Sequence, residues 1–584
     1  AGPEKDVAAE CTATALRARS LLASGEMDAS LAAAARAIEG AGAAELADVV
    51  AHAQVTTGRV YRAAGRSAEA RAAFEEALAA VSRVSVEPGA ESFYSDRRGP
   101  YLAMVDLLVV EQQPAEAFLW GERMRQRALA DMLGGDGVVV TKGMTAGEVD
   151  EERRIRRESR SAAARLRRER GRTPSDPARL ADLQAQVERL AAARAAARRT
   201  VFAAHPALEV LRAQTPALGI EAAASLVPDA QTAIVSFVVS EARAWVFVVA
   251  RDQASGVPVI AQVATIETRA DDLIKAADAF VRAAADETKD VAEPSRALRR
   301  LLLDPVQAAL TGKTRLFILP DAFLWNVPFE ALQSESGRYL VEDAAVSYGV
   351  SVTALSAMAS GADGRARGKV VLAVAAPALG KPAEGRLALL RPAKAAAPAA
   401  AAEVAALRAI VAPGAFSQLQ AERAKPAAVV QAAAAADVLH LAVPLVLSHA
   451  SPLYSLVALT PEDASDADGG LVELADVLDW DLRPEVVVCS RAESGAAAFS
   501  AEGFGGLSWG LFVAGPRSVV VNRWPLGEPG ALVPAFYRAL FGATPGRPAG
   551  RSIAEALQRA AKGRLSQPAT SHPRFWAGLA ALGR

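Results

Sequence analysis

The sequence predicts paired α-helices, then a charged helical hairpin, then an α/β domain, over residues 1–133, 134–214 and 215–584. Three observations carry that reading. Small and aromatic residues recur at the spacing of stacked helix pairs over the first stretch. Arginine and glutamate interleave through the second. From about residue 215, short Val/Ile/Leu runs alternate with helical patterns, as in α/β domains. At 584 residues the chain exceeds what one hydrophobic core serves, so about two to four domains are expected.

Composition excludes several function classes. Lys+Arg (65) and Asp+Glu (66) nearly cancel, so overall charge gives no argument for nucleic acid or an anionic membrane. Cys11 and Cys489 alone support neither a disulfide framework nor a cysteine-rich metal site. The five histidines (His52, His205, His440, His449, His572) show no HExxH or paired ligand spacing, so no metal and no cofactor is expected. The longest apolar runs, such as Val438 to Leu447, are too short for a bilayer. A soluble, cytoplasmic protein is the default expectation. A removed N-terminal segment, with a secreted or periplasmic location, stays open because the sequence starts at Ala1.

The clearest helix pair holds Gly58-Arg-Val-Tyr61, Gly65-Arg66, Ala70, Phe74 and Ala77. Gly58, Ala70 and Ala77 let two helices approach closely, while Tyr61 and Phe74 fill the space between neighbouring pairs. A unit with Leu21, Gly25, Leu31 and Ala35 precedes it, and one from Tyr101 through Phe118 to Ala128 follows, at about 40-residue intervals. This spacing resembles the tetratricopeptide repeat; an ordinary α-hairpin bundle with alanine seams is the plain alternative. Such repeats stack into a concave surface, which implies a protein or peptide partner.

Between Arg153 and Arg172 lie ten arginines, against four glutamates from Glu151 onward. Two helices are expected, Glu151 to Arg170 and Pro177 to about Ala204, with Asp176 or Ser175 as cap and Pro177 at the first helical position. No aromatic lies in the arginine run, and interleaved charge on a long helix is usually a solvated face, so nucleic acid is not expected as a partner.

In the third stretch, Ala233 to Val239 and Ala244 to Ala250 flank Ser240–Arg243 as an antiparallel pair. Further strands are expected at Arg315–Leu319, Val370–Val374, Val438–Val443, Glu485–Ser490 and Ser518–Val521. Helices are expected at 268–285, 294–310, 399–411, 424–436, 505–514 and 529–541. Ala393 to Ala402 reads as an alanine linker or a helix start.

Several motifs then occur in one order. They are Leu319-Pro-Asp-Ala-Phe-Leu-Trp-Asn-Val-Pro-Phe-Glu-Ala-Leu332, Leu439-His-Leu-Ala-Val-Pro444, the acidic segment Asp468 to Leu482, and Val488-Cys-Ser-Arg-Ala-Glu-Ser-Gly495. Glu502 to Ser508, Ala514 to Val521, Trp524-Pro525 and His572-Pro-Arg-Phe-Trp576 follow. Together they resemble the CHAT domain, a caspase- and separase-like cysteine peptidase fold commonly joined to tetratricopeptide repeats. The resemblance covers about residues 215–584 and implies an α/β caspase-like domain. It also implies a pocket near Asp321, Ser490, Arg491, Glu493 and Ser494.

The departures bear on chemistry. The family's base is the second His of its His-x-Ala-Thr-His-Gly motif and its nucleophile is the Cys of Cys-Glu-Thr-Gly; here those positions hold Pro444 and Ala492. Neither side chain takes a proton or attacks a carbonyl. The resemblance therefore implies a pseudo-peptidase acting through protein interaction. A cysteine peptidase with a relocated pair is the second reading, using His440 or His449 as base and Cys489 as nucleophile. Against it, Cys489 reads as a buried structural thiol, His440 as a supporting or core histidine, and His449 as a solvated loop residue. A third reading is a serine hydrolase at Ser508, because Gly506-Leu-Ser-Trp-Gly510 fits G-x-S-x-G. That motif needs a strand directly before the serine; Glu528 or Glu555 and His572 would complete the set. Oligomeric state is not legible.

Overall fold

A computed structural model describes residues 3–83, 97–135, 140–170, 172, 176–360, 370–390, 396–448, 452–493, 501–526, 532–542 and 552–583. Two compact units form: residues 1–86 with 138–215, and 87–137 with 216–584.

The first unit begins with four helices, Pro3–Ala23, Met27–Ala43, Ala47–Ala63 and Ser67–Arg83. Each connection is closed by one residue with positive φ, at Gly25, Glu45 and Gly65, twenty positions apart. The hydrogen bonds repeat as well. Gly25 N–H meets Leu22 C=O and Glu26 N–H meets Leu21 C=O, and the same pair recurs at Gly65 and Arg66 with Arg62 and Tyr61. This pair of hydrogen bonds satisfies orphan carbonyls of a helix end, and its recurrence gives a helix-pair period of about 40 residues. Phe74, Ala70 and Ala77 are fully buried. A Cβ on Gly58 would stand 2.3 Å from the Phe74 ring, so the ring lies directly on the Gly58 backbone. Tyr61 is half-buried, with the Arg66 guanidinium 4.4 Å over its ring.

The helices Ala146–Arg170 and Pro177–Ala204 and the short helix Pro206–Leu211 complete this unit. The Asp176 side chain caps the second, accepting from the N–H groups of Ala178 and Arg179, with Pro177 opening the helix. Ser175, the alternative cap, lies outside the described residues.

In the second unit an eleven-stranded sheet has the order β3-β2-β1-β4-β5-β15-β14-β12-β8-β6-β7. The strands are β1 Thr232–Val239, β2 Ala244–Arg251, β3 Pro258–Ile266, β4 Arg315–Leu319, β5 Ala345–Tyr348, β6 Val371–Pro377, β7 Phe416–Ala421, β8 Val438–Ala442, β12 Val486–Cys489, β14 Ser518–Asn522 and β15 Leu579–Gly583. The strands β7, β6, β8, β12 and β14 run parallel to one another. β15 runs antiparallel to β14 and parallel to β5, which is parallel to β4 and β1. The sheet therefore contains two parallel blocks of opposite direction, and the carboxyl ends of β4 and of β12 point to opposite edges. A second sheet of order β11-β10-β9-β13 comprises β9 Leu445–Val446, β10 Leu456–Ala458, β11 Leu471–Glu473 and β13 Ala492–Glu493.

Helices cover both faces, as the near-continuous apolar strands require. Val438, Val486 and Val488 pack with Phe536 and Tyr537 of the helix Leu532–Phe541. On the other face, Leu439, Leu441, Val487 and Cys489 pack with Leu507 and Leu511 of the helix Ala501–Ala514. The expected strands and most expected helices are present. The strands β3, β5, β7 and β15 and the four short strands of the second sheet lie outside the expected set. β7 (Phe-Ser-Gln-Leu-Gln-Ala) is an edge strand of mixed burial, and β15 (Leu-Ala-Ala-Leu-Gly) has the composition of a helix.

The helix pair Gly99–Val110 and Pro114–Gly135 belongs to this unit. Buried charges hold it there. Glu122 is paired with Arg125 at 3.1 Å and accepts from Val352 N–H at 2.7 Å, and Arg125 donates to the Phe237 carbonyl. Burial pushes the Glu122 carboxyl up, against the pull of Arg125.

Candidate functional site

The site forms where β8 and β12 end side by side. Val488 lies in register with His440, and Cys489 with Leu441. Beyond the main sheet both chains continue into the smaller one, where Ala492 is in register with Leu445 and Leu445 N–H donates to the Arg491 carbonyl at 3.2 Å. The Pro444 carbonyl accepts from Ala458 N–H at 2.9 Å. Pro444 is thus the immediate chain neighbour of the residue that pairs with Ala492. The structure brings those two positions together, although they are 48 residues apart in sequence.

His440 is fully buried. Its Nε2 is 2.9 Å from Glu403 Oε1, and its Nδ1 is 3.1 Å from the Tyr537 hydroxyl. The Tyr537 phenol is pushed well up by burial and by the Glu403 charge, so it stays protonated beside Nδ1. The lowered Glu403 carboxylate can only accept, so Nε2–H donates to it, and with Nδ1 held by the Tyr537 hydroxyl neither ring nitrogen is open to a nucleophile. Glu403 comes from the helix Ala396–Arg408, and its other oxygen is 3.1 Å from Arg491 Nη2. Burial alone raises its carboxyl, but the hydrogen bond and charge of His440, then Ser490 and Arg491, outweigh it and hold the group below the usual carboxylate range.

Cys489 projects to the other face. Side chains alternate along a strand, and Cys489 joins the apolar core under the Ala501–Ala514 helix while His440 faces Tyr537. The sheet backbone stands between the thiol and the imidazole. With only apolar neighbours, burial pushes the Cys489 thiol up to about 12, so it carries no useful thiolate near neutrality.

Of the expected pocket residues, Ser490 is buried beside the Glu403 cluster and Arg491 is mostly buried against Glu403. Glu493 is placed as backbone in β13. Ser494 and His449 lie outside the described residues.

Asp321 requires a correction. It follows β4, whose carboxyl end faces the opposite edge from those of β8 and β12, and three strands (β5, β15, β14) separate β4 from β12. That is about 19 Å across the sheet. Asp321 is buried, ion-paired with Arg98, and accepts from Val239 N–H at 2.7 Å. Its work is to anchor the chain leading into the Gly99–Val110 helix.

Ser508 sits inside the Ala501–Ala514 helix rather than at a strand end. His572 uses Nδ1 to accept from Arg574 N–H, and its Nε2 lies 3.1 Å from the Lys289 carbonyl. The strand-turn-helix geometry that G-x-S-x-G chemistry needs is absent there. Glu528 lies outside the described residues.

Sequence reasoning missed Glu403 and Tyr537. The available signal was a lone carboxylate inside the alanine-rich run Ala396–Arg408, a costly residue to bury unless partnered.

The family model for the CHAT domain matches residues 292–584, half of the chain. The chain belongs to the CHAT family. This CHAT protein is also similar to tetratricopeptide repeat protein 28 of Mus musculus, at 32% identity over 115 residues. That match covers 19% of the chain and only 4% of the mouse protein. A solved separase–securin complex of Saccharomyces cerevisiae aligns over 95% of this chain and 50% of its own, at 7% identity and a TM-score of 0.38.

The signature Pro328-Phe-Glu-Ala-Leu332 has a structural use in this CHAT domain. Glu330 accepts from the Tyr348 hydroxyl, and Arg523 lies 3.9 Å from Glu330 and 4.6 Å over the Tyr348 ring. Burial pushes the Glu330 carboxyl up, against the pull of Arg523. Among the described residues, no helix is long and apolar enough to cross a membrane, and no cluster of His, Cys, Asp or Glu could hold a metal ion.

Proposed function

We propose that this chain is a catalytically inactive CHAT protein, a pseudo-peptidase that acts as a protein-interaction or regulatory scaffold through its helical repeats and its altered pocket. The observation that carries this reading is the arrangement around the β8 and β12 ends. Pro444 and Ala492 occupy the neighbouring positions that the family's motifs assign to base and nucleophile. Among the described residues, the reactive groups on these two strands, His440 and Cys489, lie on opposite faces of the sheet with their reactive atoms engaged or buried. Acyl transfer by a thiol needs a thiolate and an imidazole within hydrogen-bond reach, and that pair is missing from the described residues.

The 32% identity with a tetratricopeptide repeat protein supports the partner class, a protein or peptide segment. The test is turnover of a fluorogenic peptide library by the purified chain, beside a P444H/A492C double variant. No turnover by the natural chain and thiol labelling at position 492 in the variant are expected. Peptide hydrolysis by the natural chain, lost on Cys489→Ala, His440→Ala or His449→Ala, would overturn the proposal in favour of a relocated dyad.

A further inference from the structure

The helix Ala146–Arg170 turns Ile155, Ala162 and Leu166 inward, all buried, at spacings of seven and four. At about 100° per residue, the side directly opposite that line carries Arg153, Arg157, Arg160 and Arg168, within a stripe about 80° wide. All four are exposed. The stripe spans roughly 22 Å at the α-helical rise.

Apart from Asp150, the acids of this helix lie elsewhere and are occupied. Glu151 and Glu158 pair with Arg154 at 2.7 and 2.8 Å, and Glu152 pairs with Arg212 at 2.9 Å. Glu169 takes Arg172 and Arg179, both at 3.2 Å, and Glu148 takes His205 at 3.0 Å. Asp150 stands on the stripe's edge just before Arg153, and no acid follows along its line. Among the described residues, no ion pair reaches any of the four stripe arginines. Like charges three and four positions apart work against a helix. Solubility alone is met by alternating signs, as on the flank of the same helix, so self-stabilisation does not account for the stripe.

We propose that this arginine stripe is a docking face for an acidic protein segment whose Asp and Glu recur every three to four residues. Charge complementarity selects the partner. Every cation from 146 to 204 apart from histidine is arginine, with no lysine, and the planar guanidinium fork pairs with carboxylates in two parallel hydrogen bonds. Single-stranded nucleic acid would need a stacking platform. The Ala146–Arg170 helix has no aromatic residue, and Phe202 of the adjoining helix already has Arg212 6.0 Å over its ring. This inference stands independently of whether the CHAT pocket is catalytic.

The experiment measures fluorescence anisotropy of a labelled helical peptide with glutamate at every third or fourth position, titrated with the full chain at low and physiological salt. A single-stranded oligonucleotide serves as the second probe. Peptide binding that weakens with salt and falls at least about tenfold in R153Q/R157Q/R160Q/R168Q is expected, since glutamine keeps helix propensity. Amide exchange on the natural chain, with and without peptide, gives a variant-free check: protection changes confined to residues 150–170 support the proposal. No peptide binding, equal binding by a folded quadruple variant, tighter oligonucleotide than peptide binding, or protection elsewhere would each overturn it.

Discussion

Replacing Glu403 by alanine strips the partner from two buried groups at once. His440 Nε2 loses an acceptor at 2.9 Å and Arg491 Nη2 loses one at 3.1 Å. His440 is fully buried and the Arg491 side chain is 16% exposed, so water replaces little of what is removed. Breaking a buried charged pair costs about 3–5 kcal/mol. The unit containing Glu403 has roughly 420 residues, which at ~2.1 cal/mol/K per residue places 1 kcal/mol near 1 °C in Tm. Glu403→Ala should therefore lower the Tm of this unit by about 3–5 °C at neutral pH, and Glu403→Gln by less.

The pH dependence has a definite sign. The Glu403 carboxyl is lowered on folding, so its contribution is fully present above the unfolded carboxylate value, about 4.3. The contribution is lost as pH falls through the lower folded value. The gap in Tm between the natural chain and Glu403→Gln should hold above about pH 5 and close below pH 4. Scanning calorimetry across that range reads both quantities. A Glu403→Ala Tm within 1 °C of the natural chain, or a gap that widens on acidification, would refute the assigned network.

The remaining expectations concern separate elements. With its thiol pushed up to about 12, Cys489 should resist iodoacetamide in the folded protein and react once denaturant opens the unit, as mass spectrometry would record. Gly58→Ala would set a Cβ 2.3 Å from the fully buried Phe74 ring. Overpacking of about 1–3 kcal/mol should outweigh the helix-propensity gain and lower the Tm of the helical unit by a few degrees. Gly42→Ala, with nothing within 4 Å, should instead stabilise by ~0.5–1 kcal/mol. Arg98→Met should destabilise the α/β unit by about 3–5 kcal/mol in urea unfolding, because it leaves Asp321 buried and unpaired. Asp321→Asn, in material that remains folded, should leave thiol labelling of an A492C variant unchanged.

Local signals made a large share of the fold legible. Small residues at Gly58, Ala70 and Ala77, with the turn at Gly65, mark the helix pairs because close helix packing and left-handed turns each demand particular residues. The runs Val486–Cys489 and Ser518–Asn522 mark strands because strands covered on both faces are apolar throughout. Pro444 and Ala492 could be picked out as aligned positions because the motifs around them occur in order, and their adjacency needs only neighbouring parallel strands.

Other features depend on direction and face, which a sequence pattern does not carry. In strands buried on both faces every position is apolar, so Cys489 and His440 give no sign of which side they take, and only the register of β12 on β8 puts the sheet between them. Asp321 stands in a motif next to the family's others, yet the antiparallel β15 reverses the block containing β4 and sends that aspartate to the far edge. Glu403 and Tyr537 come from helices on either side of His440 in sequence, the two side chains 134 positions apart. By itself the sequence determined the helix pairs, the apolar strands and the unreactive side chains at Pro444 and Ala492, since those follow from residue type and short-range spacing. Only tertiary structure decided which buried polar groups meet, because a hydrogen bond between distant segments exists once strand order and direction have fixed where each side chain points.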